Sequence, residues 1–199
     1  MSEDISGIIL AGGRSRRFGS PKAFAEKDGI PFYQYSVEAL SPFTNKIVVV
    51  TNKELLPRFN RLESNKFEVI IDSNEVEGEG PLAGIYSVMK RGDSAWYMVL
   101  PVDVPFVQEK VLKQLMGNLD DYFDAIIPIV QNKNQPLFGL YNHSVKQQLL
   151  KQLRQGERSM HKLLSKIKVD YVAIEESESF ININRKIDYE TYINNKNHK

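Results

Sequence analysis

A chain of 199 residues with 42% hydrophobic and 26% charged side chains has an ordinary globular balance and enough length for one sizeable core. Its formal net charge of +1 removes any global attraction to nucleic acid or an anionic membrane, so neither is expected as a partner. The absence of cysteine excludes disulfides, thiolate-bound zinc and a cysteine nucleophile together.

The first apolar run, Ile5–Leu10, suits a buried parallel strand. It breaks into Ala11-Gly12-Gly13-Arg14-Ser15-Arg16-Arg17-Phe18-Gly19-Ser20-Pro21-Lys22. Glycines at a strand's carboxyl end let backbone N–H groups approach an anion closely. Arg14, Arg16, Arg17 and Lys22 add positive charge, and guanidinium forks match phosphate oxygens. A polyphosphate is the expected guest. The P-loop pattern is excluded because five residues separate Gly13 from Gly19 and Ser-Pro intervenes before Lys22. The dinucleotide fingerprint is excluded because Gly12 and Gly13 are adjacent. An ordinary basic surface loop would account for the charge but not for the strand placement or the glycine pair.

Apolar bursts and helical patterns then alternate. A helix is expected over 31–40, a β-branched strand over Lys46–Thr51, a helix over 54–62 and a short strand over Glu68–Ile71. The acidic, glycine-containing stretch 73–80 reads as a loop. A helix over Pro81–Arg91 follows, opened by Gly80 and a first-turn proline. The strand 96–100 enters Pro101-Val102-Asp103-Val104-Pro105. Val107, Val111, Leu112, Leu115, Met116 and Leu119 mark one helix face. Ala125–Val130 and 136–141 read as strands of a hairpin, which makes one member antiparallel. Helices follow around Val145–Leu153 and Met160–Ile167, then strands at 169–174 and 180–183, then a helix at 186–193. The polar tail 194–199 is expected to fray.

No linker divides the chain, so 1–199 reads as a single domain. No apolar stretch is long enough for a membrane span, and Glu3 and Asp4 stand where a signal peptide would be basic; a cytoplasmic location is the expectation. His143, His161 and His198 show no metal-ligand spacing and read as solvated helix or tail residues.

Ligands of open α/β sheets bind beyond the carboxyl ends of the strands, so the loops after Leu10, Thr51, Ile71 and Leu100 share one edge. Asp103, just past a buried strand, suits a hard cation such as Mg²⁺, which takes one or two carboxylates plus substrate phosphates. Alone, it reads equally as the N-cap of a helix starting near Phe106; beside a polyphosphate loop the metal is favoured. Asp72 alone reads as an Asx-turn. In Gly80-Pro81-Leu82-Ala83-Gly84, small residues at a helix start allow close approach of a ligand or of a neighbouring backbone. In Phe180-Ile181-Asn182-Ile183-Asn184 the alternation puts Asn182 and Asn184 on one side of a short strand.

The opening loop resembles the L-A-G-G-x-x-x-R-x-G-x-x-K signature of nucleotidyltransferases, with Leu10, Ala11, Gly12, Gly13, Arg17, Gly19 and Lys22 in its places. The likeness is nearest to the molybdenum cofactor guanylyltransferases. Asp103 matches the aspartate of that family's L-P-x-D-x-P metal motif, and Gly80–Gly84 matches its G-P-L-A-G string. Asp72 matches a nucleotide-contacting aspartate, and Asn182 and Asn184 match an N-x-N element near the acceptor, with Asn182 favoured as the one facing the site. The chain departs at Thr51, followed by Asn52, where the family can present an asparagine.

The resemblance implies a Rossmann-like, mostly parallel α/β sheet with one antiparallel strand, of the nucleotide-diphospho-sugar transferase type. It implies a Mg²⁺-dependent enzyme that transfers GMP from GTP to the terminal phosphate of Mo-molybdopterin and releases pyrophosphate. Lys22, Arg17 and Asp103 would be catalytic. Leu10, Ala11, Gly12, Gly13, Lys22, Asp72, Gly80 and Asp103 would bind GTP, with Asp103 on the metal. Transient contact with other molybdenum cofactor proteins belongs to the same expectation. Cytidylyl transfer, sugar-phosphate nucleotidyl transfer and a GTP sensor without turnover are the competing readings.

Overall fold

The computed structural model describes residues 4–13, 15, 17–62 and 64–194; Arg14, Arg16, His198 and all of the tail but Asn194 lie outside them. The elements run β1 (Ile5–Leu10), β2 (Glu26–Lys27), β3 (Ile30–Pro31), α1 (Phe32–Leu40), β4 (Lys46–Thr51), α2 (Leu56–Asn60), β5 (Glu68–Ile71), α3 (Pro81–Arg91) and β6 (Trp96–Pro101). They continue with α4 (Glu109–Met116), β7 (Ala125–Val130), β8 (Lys133–Asn134), β9 (Gly139–Asn142), α5 (Val145–Arg154), α6 (Met160–Leu164), β10 (Val169–Ala173) and α7 (Lys186–Tyr192).

The main sheet is eight-stranded, ordered β10-β7-β9-β6-β1-β4-β5, with the two-residue β8 beside β7. β1 is central and pairs in parallel with β4 and β6, and β4 pairs in parallel with β5. β9 runs antiparallel to both β6 and β7, as the hairpin pattern implied, and β10 returns parallel to β7. β8 adds a short antiparallel partner to β7, and β2 and β3 form a separate two-stranded ribbon.

Both faces of the sheet are covered, which explains why its strands are apolar at nearly every position. Along β6, Trp96, Met98 and Leu100 enter one core with residues of α1 and α4, while Tyr97 and Val99 enter the other with residues of α3, α5 and α6. The same period of two divides Ile47 and Val49 from Val48 and Val50 in β4.

Three expectations need correction. The helix marked by Val107–Leu119 covers only Glu109–Met116, because Val107 and Leu119 lie in flanking turns although both pack on the core. Residues 180–183 are not a strand. Glu178–Phe180 form a 3-10 turn, and the Ile183 N–H donates to the Asp103 carbonyl at 2.9 Å, so this segment ties to the β6 loop rather than to a ladder. His143 is not a solvated helix residue: it is half-buried before α5, and its Nδ1 lies 3.2 Å from the Tyr97 hydroxyl.

Candidate active site

A cavity of about 1340 Å³ opens at the carboxyl ends of β1, β4, β5 and β6. Its floor comes from Leu10–Gly13, its far wall from Asp72 and the start of α3, and its other half from Gln135–Phe138, Phe180, Asn182 and Asn184. A single small-ligand pocket runs to roughly 300–1,000 Å³, so this one has room for a nucleotide and a second substrate side by side.

At its centre lies Lys22, brought in by the 3-10 turn Lys22–Phe24. The ammonium donates to the Asp103 carboxylate in a short, half-buried ion pair and to Asn184 Oδ1 at 2.8 Å. Residues separated by 81 and 162 positions thus converge on one atom. Asp103 is no helix cap, because α4 begins at Glu109 with Gln108 as its N-cap. Among the described residues no group of three or more His, Cys, Asp or Glu side chains could cage a metal. One carboxylate beside a polyphosphate loop does fit Mg²⁺, which is bound mainly through substrate phosphates and water.

Gly12 and Gly13 have no positive φ. A Cβ on Gly12 would make only ordinary contact with Thr51 at 3.5 Å, and one on Gly13 would meet nothing within 4 Å. Neither the backbone nor the packing calls for glycine there, so the space they leave is space for a ligand. Gly80 differs: its φ of +80° is a conformation side chains avoid, and it turns the chain into α3 with no side-chain cap on the first N–H groups. Gly84 lets α3 seat on β1, since a Cβ there would approach Leu10 Cδ2 to 2.8 Å.

Asp72 lines the far wall and accepts the Gly78 N–H at 3.1 Å, closing the acidic loop rather than forming an Asx-turn. Burial pushes its carboxyl above the ordinary value; the Gly78 bond opposes this and the Glu77 charge adds to it. Thr51 lines the cavity with a buried hydroxyl that has no partner in the described structure. Asn52 donates to the Gly12 carbonyl at 3.0 Å and accepts from Leu55 N–H, bracing the glycine loop from β4.

Leu10, Ala11, Gly12, Gly13, Lys22, Asp72, Gly80, Asp103, Asn182 and Asn184 therefore share one cavity. Arg17 is exposed and does not line it. Asn182, the amide expected to face the site, lines the cavity while donating back to the Phe180 carbonyl at 3.1 Å, and Asn184 lines it too and holds Lys22. Sequence reasoning named Asn52 only as the residue after the departure at Thr51, and it missed the contact of Asn52 with Gly12 and the mouth of the cavity. There Arg158 forms a two-pronged pair with Glu79, and Lys53 pairs with Glu77 at 2.7 Å. The run of alternate glutamates at 75, 77 and 79 was the signal, since each finds a cation on a different element.

Comparison with known proteins places these features. A model of the MobA-like NTP transferase domain matches residues 7–171. A probable molybdenum cofactor guanylyltransferase of Bacillus cytotoxicus is 40% identical over 191 residues, covering 94% of this chain and 95% of its own. One from Bacillus cereus is 36% identical over 188 residues, covering 92% of this chain and 93% of its own. The crystal structure of molybdopterin-guanine dinucleotide biosynthesis protein A from Archaeoglobus fulgidus superposes with a TM-score of 0.79 at 26% identity, covering 98% of this chain and 100% of its own.

Proposed function

The chain belongs to the MobA-like NTP transferase family, and from that premise we propose that it transfers GMP from GTP to the terminal phosphate of Mo-molybdopterin, giving the guanine dinucleotide and pyrophosphate. The observation that carries this is the convergence of Lys22, Asp103 and Asn184: one ammonium joins the glycine loop, the candidate metal carboxylate and the acceptor segment. An acceptor phosphate oxygen attacks the α-phosphorus in line, the bond from the α-phosphorus to the bridging oxygen of the β-phosphate breaks, and pyrophosphate leaves with that electron pair.

The protein's part is positioning and charge neutralisation. The Gly12 and Gly13 amides cradle the polyphosphate, Lys22 turns from Asp103 to the phosphates, and Arg17 closes on the leaving group from outside the wall. Asp72 and the Gly80 end of α3 hold the nucleoside, while Asn182 and Asn184 orient the acceptor. Asp103 would hold Mg²⁺, which when bound supplies charge neutralisation at the α-phosphate. The reading extends to a cytoplasmic enzyme; among the described residues no helix is long and apolar enough to cross a membrane.

The test is a competition of GTP, CTP and ATP at equal concentration with Mg²⁺ and Mo-molybdopterin, reading pyrophosphate release and the nucleotide incorporated. GMP incorporation in large excess is expected, because a site built on one base edge leaves its polar groups unpaired with another base. Comparable CMP incorporation would assign a different base. Nucleotide binding without pyrophosphate release would make the protein a sensor.

A further inference from the structure

The terminal helix α7 has no buried residue, so it adds little to the core. Its Tyr189 nonetheless touches Phe18 in the loop that carries Arg17 and Lys22, and its Asp188 holds the segment that meets Lys22. The Tyr189 ring meets Phe18 edge to face at a centroid distance of 5.9 Å and stacks against Phe32 at 6.2 Å. Its hydroxyl donates to the Glu26 carbonyl at 2.5 Å, reaching the β2 strand just after the loop. One residue earlier, the Asp188 carboxylate accepts the N–H groups of Asn184 at 2.9 Å and Arg185 at 2.8 Å. That fixes the residue whose side chain holds Lys22. Both ends of the 18–22 loop therefore lean on the same short stretch of chain.

We infer that Tyr189 is a positioning residue: its ring anchors Phe18 and thereby holds the polyphosphate loop in the conformation that presents Lys22 to the leaving group. Tyr189 does not line the cavity and touches no reacting atom. The edge-to-face ring pair adds a directional attraction to the apolar contact, which favours the placement of Phe18 seen here. The inference rests on the assignment of this loop to the β- and γ-phosphates. The quantity to measure is therefore the preference for GTP over GMP, which isolates those two phosphates.

Calorimetric titration of the full chain with GTP and with GMP is the experiment, alongside thermal unfolding. Tyr189→Ala is expected to weaken GTP binding roughly tenfold, the scale of one charge-assisted contact, with GMP binding unchanged. Tyr189→Phe keeps the ring and should restore most of the preference. Ile187→Ala, at a 60% exposed position of the same helix, should change neither affinity. If Tyr189→Ala does not fold, Phe18→Ala breaks the same ring pair from the loop side and must show the same selective loss. A GTP preference kept in the folded variant, or lost equally in Ile187→Ala, overturns the positioning role. Wild-type protein that binds GTP no tighter than GMP overturns the polyphosphate assignment itself.

Discussion

A methyl group at Gly13 would touch none of the described residues, whereas the proposed function puts the backbone there against a charged ligand. Gly13→Ala is therefore expected to fold with unchanged thermal stability and to bind GTP about 10–100-fold more weakly, the cost of disturbing one charge-assisted backbone bond. Calorimetry and thermal unfolding on one preparation check both halves. Asp72 offers a prediction of opposite character. Its carboxyl titrates higher in the fold than in the unfolded chain, so the folded state binds the extra proton. Stability contributed by this group is present at low pH and falls as pH rises through the window just above the ordinary carboxylate value. Asp72→Asn keeps an acceptor for the Gly78 N–H and removes the buried charge. It should be at least as stable as wild type at neutral pH, lose its advantage below the carboxylate range, and bind nucleotide less well; denaturant unfolding across pH reads the first two effects. At this scale the meeting of Lys22, Asp103 and the glycine pair in one cavity was legible, because charged and glycine residues just past apolar strands of a parallel sheet fall on one edge. Asn52 was not, since a loop amide that bonds a carbonyl leaves no pattern in the chain. The strand expected at 180–183 was misread because alternation over a few residues cannot distinguish a strand from a segment bonded to a neighbouring loop.

Among the elements, β9 is the one whose placement depends most on a single residue. A Cβ on Gly139 would lie 2.7 Å from the Ile126 carbonyl oxygen and 2.9 Å from Ile127 Cδ1, and the first of these is backbone held within β7. Gly139→Ala should destabilise the protein by ~1–3 kcal/mol, the usual cost of overpacking a core. Chemical denaturation would show it as a lower midpoint with an unchanged slope. Strands such as β1, β4, β5 and β7 could be read to the residue, because runs of Ile and Val buried on both faces have sharp ends. Helix ends were less legible. Val107 and Leu119 fit the apolar stripe of α4 and do pack against the core, yet turns rather than helix carry them there. Periodicity reports which side chains are buried, and the backbone can deliver a buried side chain without being helical.

In the whole molecule, the substrate cavity spans a seam between early and late parts of the chain. Loops after β1, β4, β5 and β6 build one half, to which the proposed function assigns the nucleotide, and residues from 135 to 184 build the other. Three glutamates of the loop before α3 tie it outward to Lys53, Lys90 and Arg158. These exposed pairs each add little to stability, because water and salt screen them. Their value lies in setting where the loop stands relative to its neighbours. Hydrogen exchange should rank the sheet accordingly. Amides of β1, bonded between two parallel neighbours, are expected to open only with global unfolding, and those of β10, paired only with β7, considerably sooner.

The central position of β1 also has a meaning in time. Ribosomes deliver it before its neighbours on the two sides, Lys46–Thr51 and Trp96–Pro101. Parallel pairing offers no hairpin shortcut, so the Ile-Ile-Leu run must stay unpaired while the intervening chain emerges. The segment that opens the candidate phosphate loop is thereby also an adhesive surface that waits long in the nascent chain, one a chaperone would be expected to shield.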